Sequence, residues 1–115
     1  MNIEEFREYC LAKPATSESL PFDNKTLVFK VHNKMFSLAG IENFESVNLK
    51  CEPEYAIELR EKFEGVQPGY HMNKQHWNTV LTDGSVPDDL LYELIDHSYD
   101  LVARGLRKKV RDSLK

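Results

Sequence analysis

The sequence predicts an α+β fold, in which helices pack on one face of an antiparallel sheet and leave the other face open. Three segments carry apolar residues with the three-to-four-residue spacing of amphipathic helices. Between the first two of them, apolar and polar residues alternate, which is typical of half-buried strands. The predicted strands are grouped rather than interleaved with helices, so the predicted element order is α-β-β-β-α-β-α.

The first predicted helix begins after Asn2, which is a favoured N-cap residue. Glu5 lies three positions further on and completes the pattern of a capping box. Phe6 and Cys10 fall on the apolar stripe of this helix. Pro14 ends it, because the residue before a proline is disfavoured in the helical conformation.

Three strands are predicted next. Residues 26–32 alternate, with Leu27, Phe29 and Val31 on one side and Val28, Lys30 and His32 on the other. Asn33-Lys34 is the predicted hairpin turn, because Asn adopts positive φ readily. Strands over residues 35–39 and 46–51 then complete a sheet with one apolar face and one largely polar face.

The second half of the chain is predicted to add a helix, a strand and a longer helix. Pro53 occupies a first helical position and opens the second helix, and Gly65 is its stop. Residues 66–76 form a predicted loop that leads to a strand over residues 77–82. Pro87-Asp88-Asp89 opens the last helix, with acidic residues where the helix dipole favours them.

The composition is that of one globular domain spanning residues 1–115, since 41% of the residues are apolar and 30% are charged. The predicted core consists of Leu27, Phe29, Val31, Phe36, Leu38, Val47, Leu49, Leu59, Leu94, Ile95 and Leu101. No apolar run approaches the roughly 18 residues of a membrane span. The first residues are acidic, whereas a signal peptide is basic, so we expect a cytoplasmic protein without membrane contact.

The net charge of −4 argues against a dedicated nucleic-acid binder, which usually carries a basic balance. The charge is unevenly distributed, however. Residues 104–115 form a basic C-terminal tail with six Lys or Arg residues and one Asp. Gly105 is a candidate end for the last helix, yet apolar residues beyond it are spaced so that the tail could continue as an amphipathic helix. Because binding depends on the local field, basic stretches can matter in an acidic chain.

Neither an enzyme nor a cofactor is expected, because the chain has no Gly-rich phosphate loop, His-Glu-x-x-His motif or nucleophile elbow. Cys10 and Cys51 fall on inward-facing stripes and are expected to be reduced, buried and inert. The four histidines share no metal-ligand spacing, so no metal site is predicted. His97 lies between acidic residues of the last helix and is predicted to be a solvated surface group.

Residues 67–80 hold the densest group of hydrogen-bond donors and aromatic rings, which is typical of a binding loop. In the alternative interpretation, Trp77 and Tyr70 anchor the loop to the core while Asn73 and Asn78 satisfy backbone groups. For Trp77 the structural role is favoured.

Several segments together resemble the MmcQ/YjbR family. They are Phe29-Lys30-Val31, Lys34-Met35-Phe36, Leu49-Lys50-Cys51, Pro68-Gly69-Tyr70-His71-Met72-Asn73-Lys74, His76-Trp77-Asn78-Thr79-Val80, Asp83-Gly84-Ser85-Val86-Pro87 and Leu94-Ile95-Asp96-His97-Ser98-Tyr99. The resemblance implies a CyaY-like (frataxin-like) α+β fold and a bacterial protein of a family usually described as DNA-binding. It brings no established enzymatic activity.

The first functional hypothesis is a monomer that binds double-stranded DNA through phosphate contacts made by the polar sheet face, its hairpin and the 67–80 loop. The predicted DNA-binding residues are Lys30, His32, Lys34, Asn48, Lys50, His71, Asn73, Lys74 and His76. The alternative is a protein-interaction, small-ligand or metal-binding module without catalytic activity, which would use the same open sheet or the acidic helices. The acidic helix residues are Glu4, Glu5, Glu8, Asp88, Asp89, Glu93, Asp96 and Asp100.

Overall fold

A computed structural model describes residues 1–70, 72–106 and 108–112 of the chain. The helices are α1 (Ile3–Leu11), α2 (Pro53–Lys62), α3 (Asp88–Arg104) and α4 (Lys108–Asp112). The strands are β1 (Thr16–Ser19), β2 (Thr26–Val31), β3 (Lys34–Gly40), β4 (Ser46–Lys50), β5 (Val66–Pro68) and β6 (Trp77–Leu81). Within the described residues, no helix combines the length and the apolar character needed to cross a membrane.

The strands form one antiparallel sheet in the order β1-β2-β3-β4-β6-β5, which confirms the predicted α+β class. Two strands were not predicted. β1 lies at one edge of the sheet, and β5 lies at the other, inside the segment that was predicted to be a loop. Both are short and largely polar, so neither shows the apolar alternation from which a strand can be predicted.

The helix ends follow the predicted local chemistry. The Asn2 side chain accepts a hydrogen bond from the Glu5 N–H (2.8 Å), and Glu5 accepts one from the Asn2 N–H (3.0 Å), which confirms the capping box. Pro53 is the first residue of α2, and Gly105 is the C-cap of α3. Past Gly105 the chain is helical again over α4, so part of the basic tail is ordered as a helix.

The main core lies between the sheet and the helices. Its largest fully buried side chains are Phe6, Phe29, Phe36, Leu49, Leu91 and Ile95. The Phe6 and Phe29 rings meet edge to face, with centroids 5.4 Å apart. Three predicted core residues differ: Leu27 is only partly buried against this core, Leu38 lies on the opposite face of the sheet, and Leu101 is half-buried outside it.

A β-bulge explains the reversed orientation of Leu38. Phe29 pairs with Ser37, whereas Lys30 pairs with Met35, so Phe36 is an extra residue in β3. Phe36 and Ser37 both lie on the helix side of the sheet and are fully buried. The extra residue shifts the alternation by one position, and every later side chain of β3 changes face.

Ser98 of α3 supplies hydrogen bonds next to this bulge. Its hydroxyl donates to the Phe36 carbonyl (2.5 Å) and accepts from the Lys50 N–H (2.9 Å). Ser98 is itself fully buried. A single helix side chain therefore links β3 to β4 where the strand pairing is interrupted.

The β2–β3 hairpin turns one residue earlier than predicted. His32 and Asn33 have positive φ values of 46° and 69°, as both central residues of a type I′ turn require. Lys34 is already the first residue of β3. Asn33 does adopt positive φ as predicted, but its partner in the turn is His32 rather than Lys34.

His97 is not the solvated surface group that was predicted. Its side chain is half-buried, and Nε2 accepts a hydrogen bond from the Glu52 N–H (3.2 Å) at the start of α2. Its ring also meets the Tyr55 ring edge to face. Burial lowers the pKa of His97 below its ordinary value of 6.5, because it favours the neutral imidazole.

This lowered pKa makes part of the stability depend on pH. The unfolded chain binds the His97 proton more readily, so the stabilisation is fully present above the ordinary pKa and is lost as pH falls through the folded-state pKa. The variant His97→Gln retains a hydrogen-bond acceptor but does not titrate. Between about pH 7.5 and 5.5, we expect the unmodified protein to lose more unfolding free energy than this variant. Urea denaturation across that range measures the difference, and equal pH slopes would contradict it.

Candidate functional site

The outer face of the sheet, opposite the helix-side core, is not largely polar as predicted. Val28, Leu38 and Trp77 form a second buried cluster on this face, with Met35 and Met72 packed against it. Val28 is fully buried, although its outward orientation was predicted correctly. Met72 belongs to the loop between β5 and β6, so this loop contributes to covering the face. The predicted structural role of Trp77 is thereby confirmed.

Most of the predicted basic residues lie at one end of the sheet, because antiparallel strands alternate in direction. Lys30 near the end of β2, Lys34 at the start of β3 and Lys50 at the end of β4 share this end. On the outer face Lys30 pairs with Met35, and Lys50 pairs with Trp77. None of the three lysines forms an ion pair with a described residue.

His32, Lys74 and His76 belong to the same end. His32 is exposed in the hairpin turn. The His76 carbonyl accepts a hydrogen bond from the Cys51 N–H (2.8 Å), just beyond β4, and the Lys74 ammonium donates to the Gly69 carbonyl (3.1 Å). We call Lys30, His32, Lys34, Lys50, Lys74 and His76 the basic end. His71 lies outside the described residues.

Arg60 of α2 stabilises the conformation of the loop that carries Lys74. It was not predicted as a site residue. Its guanidinium donates to the Asn78 side-chain oxygen (2.7 Å), to the Trp77 carbonyl (3.3 Å) and to the Lys74 carbonyl. Asn73 accepts hydrogen bonds from two backbone N–H groups of the same loop, as the structural interpretation of its side chain predicted. Hydrogen bonds from one cation, the Arg60 guanidinium, to neutral oxygen acceptors therefore stabilise the loop conformation.

A cleft of about 700 Å³ opens on the outer face, between the segment before β2 and the β5–β6 loop. We call it the outer cleft. It is lined by Phe22, Asp23, Thr26, Met35, Leu38, Ala39, Gly40, Ser46, Asn48, Tyr70, Met72 and Asn73. Tyr70 is 68% exposed, so it does not anchor the loop to the core. Asn48 and Asn73, both predicted DNA contacts, line this cleft, and Asn73 also accepts a hydrogen bond from the His76 N–H of the basic end (3.3 Å).

A chain of hydrogen bonds orients the Asn48 amide in the outer cleft. The Tyr70 N–H donates to the Thr79 hydroxyl (2.9 Å), which in turn donates to the Asn48 Oδ1 (2.5 Å). The Thr79 proton is directed at the Asn48 Oδ1, and the same hydroxyl oxygen accepts the Tyr70 N–H. The Asn48 Nδ2 group makes no hydrogen bond to another described residue.

The two thiols belong to the helix-side core. Cys10 and Cys51 are free and buried, as predicted. Burial raises the pKa of Cys10 to about 12 and that of Cys51 to about 11, which suppresses the thiolate. Across the described part of the chain, no group of three or more His, Cys, Asp or Glu side chains is arranged to hold a metal ion.

Two features of the sheet are therefore candidates for binding. They are the cations of the basic end and the outer cleft, which is apolar with a few hydrogen-bond donors and acceptors.

Comparison with known proteins identifies close relatives of the chain. The family model YjbR matches residues 11–101. The uncharacterized protein YjbR of Escherichia coli K12 is 40% identical over 115 residues, which cover 99% of this chain and 98% of the relative. The crystal structure of the Deinococcus radiodurans protein DR2400, from domain family DUF419, superposes with a TM-score of 0.92 at 41% identity, covering 98% of this chain and 87% of that one.

A more distant structure has the same architecture. The crystal structure of a Pseudomonas syringae protein superposes with a TM-score of 0.74 at 32% identity, and the match covers 88% of this chain and 98% of that one. The family match extends over most of the chain, from the end of α1 to within α3. The chain belongs to the YjbR family.

Proposed function

We propose that this protein is a non-catalytic binding protein that holds double-stranded DNA through phosphate contacts made by its basic end. The observation that carries the proposal is the grouping of Lys30, Lys34 and Lys50 on three neighbouring strands without an ion-pair partner among the described residues. A carboxylate partner would neutralise such a cation, whereas an unpaired lysine is available to a phosphate.

The spacing of these lysines suits a phosphate backbone. Neighbouring strands are about 4.8 Å apart, so lysines on β2, β3 and β4 span roughly 10 Å, which covers a few axial steps of about 3.4 Å along one DNA strand. The basic tail adds charge nearby, since Leu106 and Val110 line one cavity together with the hairpin residues His32 and Lys34. Since the contacts are few and the whole chain is acidic, binding should be modest and strongly dependent on salt.

The proposal is tested with Lys34→Ala and Lys50→Ala. Each variant should weaken binding to unrelated duplexes by similar factors, because phosphate contacts carry no sequence information. Each should also lower the slope of log affinity against log salt by about one unit. Lys25→Ala is the matched control: it removes the same charge from an exposed site before β2, at the opposite end of the sheet. Fluorescence anisotropy with labelled duplexes at several salt concentrations measures all three.

The contribution of the basic tail to DNA binding has to be measured separately, because a basic segment binds DNA without a specific site. A chain that ends at residue 105 should retain part of the affinity and the effect of Lys50→Ala. If removing the tail abolishes binding while Lys34→Ala and Lys50→Ala change nothing, the tail is the binding element and the basic end is not. If the full chain fails to bind at low salt, DNA binding is excluded.

A further inference from the structure

We propose that the outer cleft is a binding site for a small, uncharged aromatic molecule that carries a hydrogen-bond acceptor. This site goes beyond the DNA proposal and does not depend on it. At about 700 Å³, the cleft has the size of pockets that hold small molecules. Its apolar lining with a few polar groups is also typical of such pockets.

The acceptor on the ligand is inferred from Asn48. Thr79 donates to the Asn48 Oδ1, and this hydrogen bond determines which end of the amide faces Thr79. The Nδ2 group is therefore the part of the amide that is left for the cleft, and it has no partner among the described residues. A fixed donor in an apolar pocket favours a ligand that places a carbonyl or ring nitrogen against it.

The aromatic and uncharged character is inferred from the lining. Met35 and Met72 provide polarisable thioethers, which make favourable contacts with aromatic rings. Phe22 and Tyr70 stand at the cleft with 65% and 68% of their surface exposed, where a bound ring would cover them. The described lining residues include no Lys, Arg or His, and hydrogen bonds from two backbone N–H groups keep the pKa of the Asp23 carboxyl below its usual range. An anionic ligand would thus meet a negative charge.

Gly40 is an independent sign that the cleft is kept open. Its φ is not in the left-handed region, and a Cβ added to it would have only the Asn43 carbonyl oxygen within 4 Å, at 3.9 Å. Neither a positive φ nor a steric clash with a neighbouring atom therefore requires glycine at this position. Gly40 pairs with Thr26 and lines the cleft, so a side chain at this position would occupy the space that the ligand needs.

The test uses oxindole and indole, two uncharged compounds of nearly equal size, of which only oxindole has a carbonyl acceptor. In a titration followed by ¹⁵N–¹H NMR, oxindole should shift the Asn48 side-chain amide resonances and bind about two- to tenfold more tightly than indole, the ratio expected for one net hydrogen bond. Asn48→Asp removes the donor while keeping an oxygen for Thr79, so it should erase this preference. Asn43→Asp adds the same charge at a position outside the lining and should leave the preference unchanged.

A steric variant separates this site from binding elsewhere. Gly40→Leu fills the cleft and should weaken oxindole binding by at least about tenfold, while its NMR spectrum remains that of the folded protein. The proposal is overturned if neither compound shifts cleft resonances at millimolar concentration. It is also overturned if Gly40→Leu binds oxindole as the unmodified protein does, or if Asn48→Asp keeps the preference for oxindole. Each outcome is independent of whether the basic end binds DNA.

Discussion

Replacing Phe29 with alanine is expected to lower the free energy of unfolding by about 3–5 kcal/mol, the usual cost of truncating a buried phenylalanine. Phe29 is fully buried in the centre of the helix-side core, where its ring meets Phe6 edge to face. Truncation removes these contacts and leaves a cavity between the sheet and α1. Urea denaturation monitored by circular dichroism measures the loss.

Phe22→Ala is the matched control for this experiment. The same atoms are removed, but Phe22 is 65% exposed and precedes β2. Its truncation should change the unfolding free energy by less than about 0.5 kcal/mol, as for other surface substitutions. Equal losses for the two variants would show that the inward face of β2 is assigned to the wrong side.

Ser98→Ala is expected to destabilise the protein by about 2–4 kcal/mol, an unusually large effect for the loss of one oxygen atom. The substitution leaves the buried Phe36 carbonyl and the partly buried Lys50 N–H without their hydrogen-bond partner beside the bulge. An unsatisfied buried group costs about 1–3 kcal/mol, and the partly buried N–H adds a smaller cost. The added cost of a cavity is small, because only the hydroxyl is lost. The midpoint of urea denaturation measures the change.

Two further measurements separate this mechanism from a general loosening of the helix. Ser46→Ala is the control, since Ser46 is half-buried on β4 and its hydroxyl makes no hydrogen bond to a described residue. It should cost less than about 0.5 kcal/mol. In native-state hydrogen exchange, the Lys50 N–H should exchange faster in Ser98→Ala than in Ser46→Ala. An unchanged exchange rate at Lys50 would mean that water replaces the serine hydroxyl without loss.

Local signals in the sequence predicted most of the helix-side architecture. The capping box at Asn2 and the proline at the start of α2 act through near neighbours in the chain, so their effect does not depend on distant contacts. The alternation over β2 and β4 correctly placed Phe29 and Val47 toward the helices. These features were predictable because each is decided within a few residues.

The features that the sequence did not predict depend on contacts between distant segments. The bulge at Phe36 is supported by Ser98, which lies 62 residues away in the chain. Alternation alone therefore placed Leu38 on the wrong face. The edge strand β1 is polar on both sides, and its residue Glu18 is paired with Arg7 of α1 (2.5 Å). Such a segment is identified as a strand only by its position beside β2.

The two candidate surfaces also differ in how far the sequence predicts them. That Lys30, Lys34 and Lys50 share one end of the sheet follows from antiparallel strand direction, so the basic end was within reach of the sequence. The outer cleft could not be predicted from the sequence, because its walls come from the segment before β2 and from the β5–β6 loop. Their approach over β3 and β4 depends on loop conformations that composition does not specify.

The outer cluster has a spectroscopic consequence. Trp77 is the one tryptophan of the chain, and it is packed with Val28 and Leu38 on the side of the sheet away from the helices. The aromatic rings of the helix-side core are those of phenylalanine and tyrosine. Tryptophan emission excited at long ultraviolet wavelengths therefore reports on the outer face, whereas far-ultraviolet circular dichroism reports chiefly on the helices. The two signals therefore report separately on the outer cluster and on the helices, which lie on opposite faces of the sheet.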